Sequence, residues 1–533
     1  MHKIFHKHQV AFGLLILIII GSYLRFFRLS ELFHFTYDEE IIAFVGKRMW
    51  VNLHIPFIGG VTPMHVHVAP YFYWLSGIVL GLSNLNPLGW GISALLVAVA
   101  TMCVLYFTGK TLFSVKVGLI AVFLYAFSFY QVIFDRHWWG LILDGLWSLL
   151  TLVALKKILD GDYKYTWVLA TVWFFAFHTD PSTLVLYLLS AIVLLIGYFK
   201  PHWLSSKRVT KIHSVKLILI LIGSFILSTL PLIVFDIRHN FSNSRGLLQY
   251  IDEIKQGRKG VIDTNLIDSI FFLPRTLARS LYVYGNSDLS VQYSYCPQHS
   301  QGRLRSVPLL IAGLILFSVV AALGYSWWKK RNRISIGLIS LLFVSTYIGV
   351  VLYGLIFKGD LFDHYLTTLL PPFYLLAGHV LFQIRSKPFV IFVLAIFFGS
   401  NFYLLATAHH RFGYSDKRAA VSWVINQTGM EPYSLDVLGS CFRYNGYRYI
   451  TYQEGKEPVK SYVDANFTYL YDNLPSNTHP RLLAVITNPD FVETKEYQET
   501  YAALHSQLIK KAQFGDIEVL LINNENLKFT HDY

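Results

Sequence analysis

The sequence runs Val10-Ala-Phe-Gly-Leu-Leu-Ile-Leu-Ile-Ile-Ile-Gly-Ser-Tyr-Leu-Arg25-Phe-Phe-Arg28 and then, after a short link, Phe35-Thr-Tyr-Asp38-Glu39-Glu40. The apolar segment from Val10 to Phe27 is about long enough to cross a bilayer. Two arginines close it, and three carboxylates follow. Lys3 and Lys7 precede the run as they would in a signal peptide, but it continues to Arg25 without a small-residue cleavage site, so a retained span is expected. An acid cluster where a span meets water can simply end a helix. It can also strip a proton from a hydroxyl at the membrane surface.

The composition extends the membrane reading to the whole chain. Of 533 residues, 54% are hydrophobic and only 14% charged, well under the roughly one-quarter usual in soluble domains. Further apolar runs occupy 88–107, 114–134, 138–155, 166–178, 181–199, 214–235, 307–327, 334–357, 361–383 and 388–407. The net charge of +13 does not call for nucleic acid. Its lysines and arginines gather in alternate loops: Lys110 and Lys116; Lys156, Lys157 and Lys164; Lys200 to Lys216; Lys329 to Arg333; Arg385 and Lys387. Positive loops face the cytoplasm, which puts the N-terminus there too. The stretch 69–83, rich in Tyr and Trp, must then start and finish on the outer side, as a half-immersed helix. The expectation is an α-helical polytopic membrane protein with about eleven crossings, the alternative being a twelfth made by 69–83. Its extracytoplasmic parts are a first loop at 28–87, a second at 236–306 with an amphipathic stretch Leu266–Leu281, and a tail at 408–533. The tail reads as a small α/β domain, with a helical pattern at Lys417–Gln427, strands at Leu482–Ile486 and Ile517–Ile522, and a charged helix at Lys495–Lys511.

Ionisable residues at span ends tend to be functional, and here they collect on the outer side. Besides Asp38, Glu39 and Glu40, that side holds His65 and His67, Asp135-Arg136-His137, His178 and Asp180, Asp236 with Arg238 and His239, and Lys358, Asp360, Asp363, His364 and Tyr365. Crowded carboxylates raise one another's pKa, which makes a competent general base. Arginine forks suit a phosphate, so Arg25, Arg28, Arg136, Arg238 and Lys358 form a candidate anion site. His65-Val-His67 could direct both rings one way on a strand, but no third ligand lies nearby in the sequence, so no metal site is assigned. No phosphate-cradling glycine loop, HExxH or GxSxG is present. No cofactor is called for, and a divalent cation is not expected. Three cysteines exclude a disulfide framework. Cys103 sits in an apolar run, while Cys296 and Cys441 leave room for one bridge.

The order of these motifs resembles glycosyltransferase family 39 and its relatives, the protein O-mannosyltransferases and aminoarabinose transferases of the GT-C superfamily. The resemblance spans about 5–410 and rests on several motifs in sequence. They are the acids after the first span, His67-Val68-Ala69-Pro70-Tyr71, Asp135-Arg136, Phe177-His178, Pro231 through Asn240, and His364-Tyr365 before Pro371-Pro372. It implies a catalytic membrane domain at 1–407 that transfers a sugar, with inversion, from a polyprenyl-phosphate donor. Asp38 would be the base and Glu39 or Glu40 its assistant. Arg136 and the first-loop histidines would contact donor phosphate or sugar; by their place at the outer span ends, His178, Arg238, His239, Lys358, His364 and Tyr365 are further candidates for substrate binding. The acceptor is a glycan, lipid or protein. The chain departs from the family in having Ala69 before Pro70 where two prolines are common. The carboxylate that usually follows the arginine closely is displaced to Asp144, where a buried helix–helix hydrogen bond is expected.

Two other classes fit parts of the sequence. A polysaccharide or lipid transporter would pair its ionisable groups along a mid-span path, whereas these lie at span ends. A sensory protein would keep its function in the 408–533 tail.

Overall fold

The computed structural model describes residues 2–62, 64–199, 211–257, 265–283, 289, 304–328, 333–357, 360–439, 446–464, 470, 479–488, 490 and 494–524. Lys358, Cys296 and Cys441 lie outside these residues, and Cys103 is a free thiol.

Among the described residues, seven helices are long and apolar enough to cross a membrane: His8–Phe26, Gly89–Leu112, Val215–Arg238, Leu309–Trp327, Arg333–Ile356, Asp363–Gln383 and Lys387–Ala406. Other apolar runs are broken. The run 114–134 becomes two helices, Val115–Phe127 and Phe129–Phe134, because Ser128 leaves the helical region and caps the second through Gln131 N. The run 138–155 begins as a 3-10 turn, Gly140–Leu143, before the helix Asp144–Leu159. The stretch 69–83 folds as the helix Tyr71–Leu82, twelve residues and so about 18 Å long, too short for a ~30 Å hydrocarbon core. It packs against the helix Tyr37–Val51, which carries the acids. The two backbones meet at Gly46 and Gly77, where a Cβ on Gly46 would lie 3.2 Å from the Gly77 Cα.

The tail forms a five-stranded sheet of order β2-β1-β3-β5-β4, with β1 Tyr433–Leu438, β2 Lys460–Ser461, β3 Leu482–Thr487, β4 Leu508–Phe514 and β5 Ile517–Asn523. β1 runs parallel to β2 and β3, and β5 is antiparallel to β3 and β4. Side chains alternate across a strand, so Leu482, Ala484 and Ile486 face one core while Leu483 and Val485 face another with Leu504. The charged helix expected at Lys495–Lys511 stops at Ser506. From Leu508 the chain turns back as β4, whose exposed Lys510 and Lys511 blunt the sheet edge.

The sheet's inner face does not close on itself. Its Tyr433, Leu482, Ile486 and Val519 belong to one continuous core with Phe33, Phe35, Phe44, Phe72, Trp90 and Trp138 from the first loop and the helices beside it. The C-terminal domain and the acid helix therefore share their hydrophobic interior.

Candidate active site

The three acids occupy the first turn of the helix Tyr37–Val51, where negative charge meets the positive end of the helix dipole. Thr36 and Glu39 form a capping box: Glu39 Oε2 accepts from Thr36 N at 2.9 Å and Thr36 Oγ1 at 2.5 Å. The other oxygen, Oε1, accepts from His137 Nδ1 at 3.0 Å. Burial alone raises the Glu39 carboxyl, but the bonds from His137 and Thr36 outweigh it and hold the pKa below its ordinary value. Glu39 is thus an ionised, fully buried cap.

Glu40 points the opposite way. It is also fully buried, and its Oε1 accepts from the backbone N–H of Tyr449 at 2.7 Å. Burial pushes its pKa up to about 7 against the opposing pull of that bond, Arg448 and Lys417. Lys417 is brought down to about 7 by burial, opposed by Glu39 and Glu40.

Asp38 differs from both neighbours. Its side chain is open to solvent although protein atoms crowd around it. Burial and the charges of Glu39 and Asp180 push its pKa up to about 7. Asp180 caps the 3-10 turn Pro181–Thr183 through Ser182 N at 2.7 Å, and burial raises its carboxyl too. Two carboxylates from distant parts of the chain thus lie near enough for one to raise the other's pKa.

Aromatic contacts carry the lining onward. His137 lies 5.5 Å from the Trp139 ring, Trp139 is 5.0 Å from His364, and His364 is 4.9 Å from Tyr365. Tyr365 also packs edge-on against Tyr353, with ring centroids 6.1 Å apart. Asp144, beneath, is buried and accepts from Thr179 at 2.8 Å, Thr367 at 3.1 Å and Ser182 at 3.3 Å, so its partners come from connecting segments as well as from the turn before Leu370–Gln383.

The first-loop histidines form a second group with the end of the helix Lys211–Arg238. His65 has φ 57° and sits on a turn, not a strand, so the two rings part. His65 Nε2 pairs with Glu253 at 3.0 Å, while His67 Nδ1 donates to Gly59 O at 3.0 Å and its backbone N–H donates to Asn243 Oδ1 at 2.6 Å. Phe235 links His67 to His239, with ring centroids at 5.5 and 4.1 Å. Arg238 is exposed beside them. His178 bonds Ser228 at 2.8 Å and packs edge-on against Tyr71 at 4.2 Å, two residues before Asp180.

The cations expected to make one anion site are dispersed. Arg25 is buried and gives Nε and Nη2 to Asp135 Oδ2 at 2.8 and 2.6 Å. Arg28 bonds Glu31 at 2.7 Å and Ala408 O at 2.8 Å. Arg136 is 1% exposed and donates through Nη2 to Leu24 O at 2.7 Å. The reason is common to all three: an arginine near a span end finds an internal acceptor when the chain supplies one. Of the five expected cations, Arg238 is the described one that stands open. Among the described residues no three His, Cys, Asp or Glu side chains converge as a metal set.

A polar layer contributed by the tail went unread in the sequence. His34 stacks on His137 at 4.2 Å and its Nδ1 lies 2.5 Å from His410 Nε2. Burial, aided by His137, His410, Lys417 and Arg136, lowers the His34 pKa well below its ordinary value. Lys417 Nζ donates to His34 O at 2.7 Å and Phe35 O at 3.0 Å. The available signal was the sign of the charge: His409, His410, Arg411 and Lys417 follow the last apolar run, opposite in sign to the first-loop acids.

No protein-family profile matches the sequence, and no curated protein matches it. The fold does have solved counterparts. The chain superposes on ArnT from Cupriavidus metallidurans bound to undecaprenyl phosphate with a TM-score of 0.54 and 12% identity, covering 96% of this chain and 98% of that one. The archaeal oligosaccharyltransferase AglB from Archaeoglobus fulgidus, solved with an inhibitory peptide and a dolichol-phosphate, gives 0.53 and 13% identity over 99% of this chain and 75% of that one. At such identities the likeness is one of architecture, and the architecture is the GT-C fold.

Proposed function

We propose that this chain is an integral-membrane glycosyltransferase that moves a sugar, with inversion, from a polyprenyl-phosphate donor to an acceptor hydroxyl on the extracytoplasmic side. The supporting observation is Asp38: a solvent-accessible carboxylate with its pKa pushed to about 7 by burial and the charges of Glu39 and Asp180, in a chain of GT-C fold. Solved proteins of that fold carry undecaprenyl phosphate and dolichol-phosphate.

Asp38 takes the acceptor's proton as the hydroxyl oxygen bonds the anomeric carbon. The carbon–oxygen bond to phosphate breaks on the opposite face, and its electron pair leaves with the prenyl phosphate. Arg238, beside His67 and His239, is the open cation available to that phosphate. His364 and Tyr365 line the route from Asp180 toward Trp139. Glu39 serves the reaction indirectly, by fixing the first turn of the acid helix.

The direct test is purified protein incubated with a panel of polyprenyl-phosphate sugars and candidate glycan, lipid and protein acceptors, reading release of free prenyl phosphate. Transport of the same lipids across vesicles without any release would point to the transporter reading instead. Two pH results follow from Asp38. A base works only when ionised, so kcat rises with pH through about 7. Asp180→Asn removes one of the negative charges that raise the Asp38 pKa, so the acidic limb of the profile moves to lower pH. A limb that stays in place in this variant separates Asp180 from the base.

A further inference from the structure

The carbonyls of Phe33, His34 and Phe35, the three residues before the acid helix's cap, are all taken by one turn of the C-terminal domain. Tyr414 N donates to Phe33 O at 3.0 Å, and Lys417 Nζ donates to His34 O and Phe35 O. Both belong to the first turn of the helix Tyr414–Thr428. A second helix of the domain, Tyr447–Gln453, meets the same segment from another side: Tyr449 N holds Glu40, and the Tyr449 ring packs on Phe35 and Phe44 at 5.9 and 5.3 Å. Gly446, at φ 62°, lets the backbones meet; a Cβ there would stand 2.6 Å from Phe35 O.

Phe35 itself sits at φ 48°, the left-handed region that a bulky residue avoids. A chain left to itself relaxes such a residue to extended backbone, which would swing the first turn of the helix and Asp38 with it. The contacts that prevent this come largely from residues about 380 positions later in the sequence.

We propose that the C-terminal domain is a positioning element for the general base, with Lys417 as the residue that fixes the strained entry to the acid helix and thereby the direction of Asp38. This rests on Asp38 being the base. Lys417 is wholly buried, so it is a positioning residue that never meets substrate. Orientation of a reacting group is worth large factors, about a hundredfold for an ångström of misplacement.

The test compares full-length wild type, Lys417→Met, Gly446→Ala and Arg418→Gln in detergent or nanodiscs. Arg418 pairs with Glu454 at the exposed face of the same helix and serves as a control. In Lys417→Met, kcat is expected to fall at least about tenfold with KM for donor and acceptor within about twofold. Amide hydrogen exchange over 33–40 should rise, with the strands 482–487 and 517–523 still protected. Gly446→Ala presses on the same Phe35 carbonyl from the other side and should give the same signature. Arg418→Gln should behave as wild type.

Full kcat in both site variants, or unchanged exchange at 33–40, overturns the proposal. So does a rise in acceptor KM alone, which would make the domain a recognition module. Loss of sheet protection in both variants would reduce Lys417 to a structural residue of its own domain. Should wild type transfer no sugar at all, the reading of function fails, while the exchange measurements still decide whether Lys417 holds the segment.

Discussion

On the proposed function, Asp38→Asn is expected to lower the kcat of sugar transfer by about 10²–10⁴-fold, the range supplied by a positioned general base. Donor affinity stays close to that of wild type. The carboxamide keeps the shape of the side chain and loses its basicity. Asp38 makes no hydrogen bond to another described side chain, so the substitution breaks nothing that holds the helix. The neighbours behave differently. Glu39→Gln would weaken the capping box and the bond from His137 together, and Glu40→Gln would touch the domain contact at Tyr449. Only for Asp38 are loss of turnover and retention of fold expected together. Single-turnover transfer combined with equilibrium binding of the donor checks the pair, and turnover that persists in the variant removes Asp38 from the base role.

The second large effect concerns stability. Arg25→Leu strands the Asp135 carboxylate, which is 2% exposed and takes two bonds from the guanidinium. Removing one partner of a buried pair costs about 3–5 kcal/mol, because the remaining charge is left in a medium that cannot solvate it. Gln131 Nε2, at 2.6 Å from Asp135 Oδ1, offsets only part of that. The double variant Arg25→Leu/Asp135→Leu should recover most of the loss, since no charge is then left buried. Thermal unfolding of wild type, Arg25→Leu, Asp135→Leu and the double variant in one detergent gives the coupling directly. A single variant as stable as wild type would mean that water reaches the pair.

The sequence conveyed the membrane portion through long apolar runs, since length and hydropathy are local properties. It was less clear about where those runs break. Ser128 splits 114–134 by capping a new helix, and a cap made of one serine inside an apolar stretch resembles any other small polar residue. The tail strands were visible at Leu482–Ile486 and Ile517–Ile522 as short apolar runs. β4 was hidden because Lys510 and Lys511 continue the charge pattern of the helix before it, and only pairing with β5 tells them apart.

At the site, the acid triplet stood out, but the three different fates of its members did not. The Thr36-x-x-Glu39 spacing is a capping-box signature and would have marked Glu39 as a cap. Glu40 could not be read in this way, because its partner is a backbone N–H 409 positions away. The arginines misled for a related reason. Arg25 lies where an interfacial phosphate ligand would lie, yet Asp135 claims it, and nothing in a linear chain ranks an internal acceptor above a bound one.

The grip of Tyr414 and Lys417 on Phe33, His34 and Phe35 sets an order on biogenesis. During synthesis the amino-terminal acids emerge first, and they wait in an unfinished geometry while every later span is threaded into the bilayer. The hydrogen bonds to Phe33, His34 and Phe35 form only after Tyr414 and Lys417 have been synthesised, so a product cut short before them would leave the entry to the acid helix unheld.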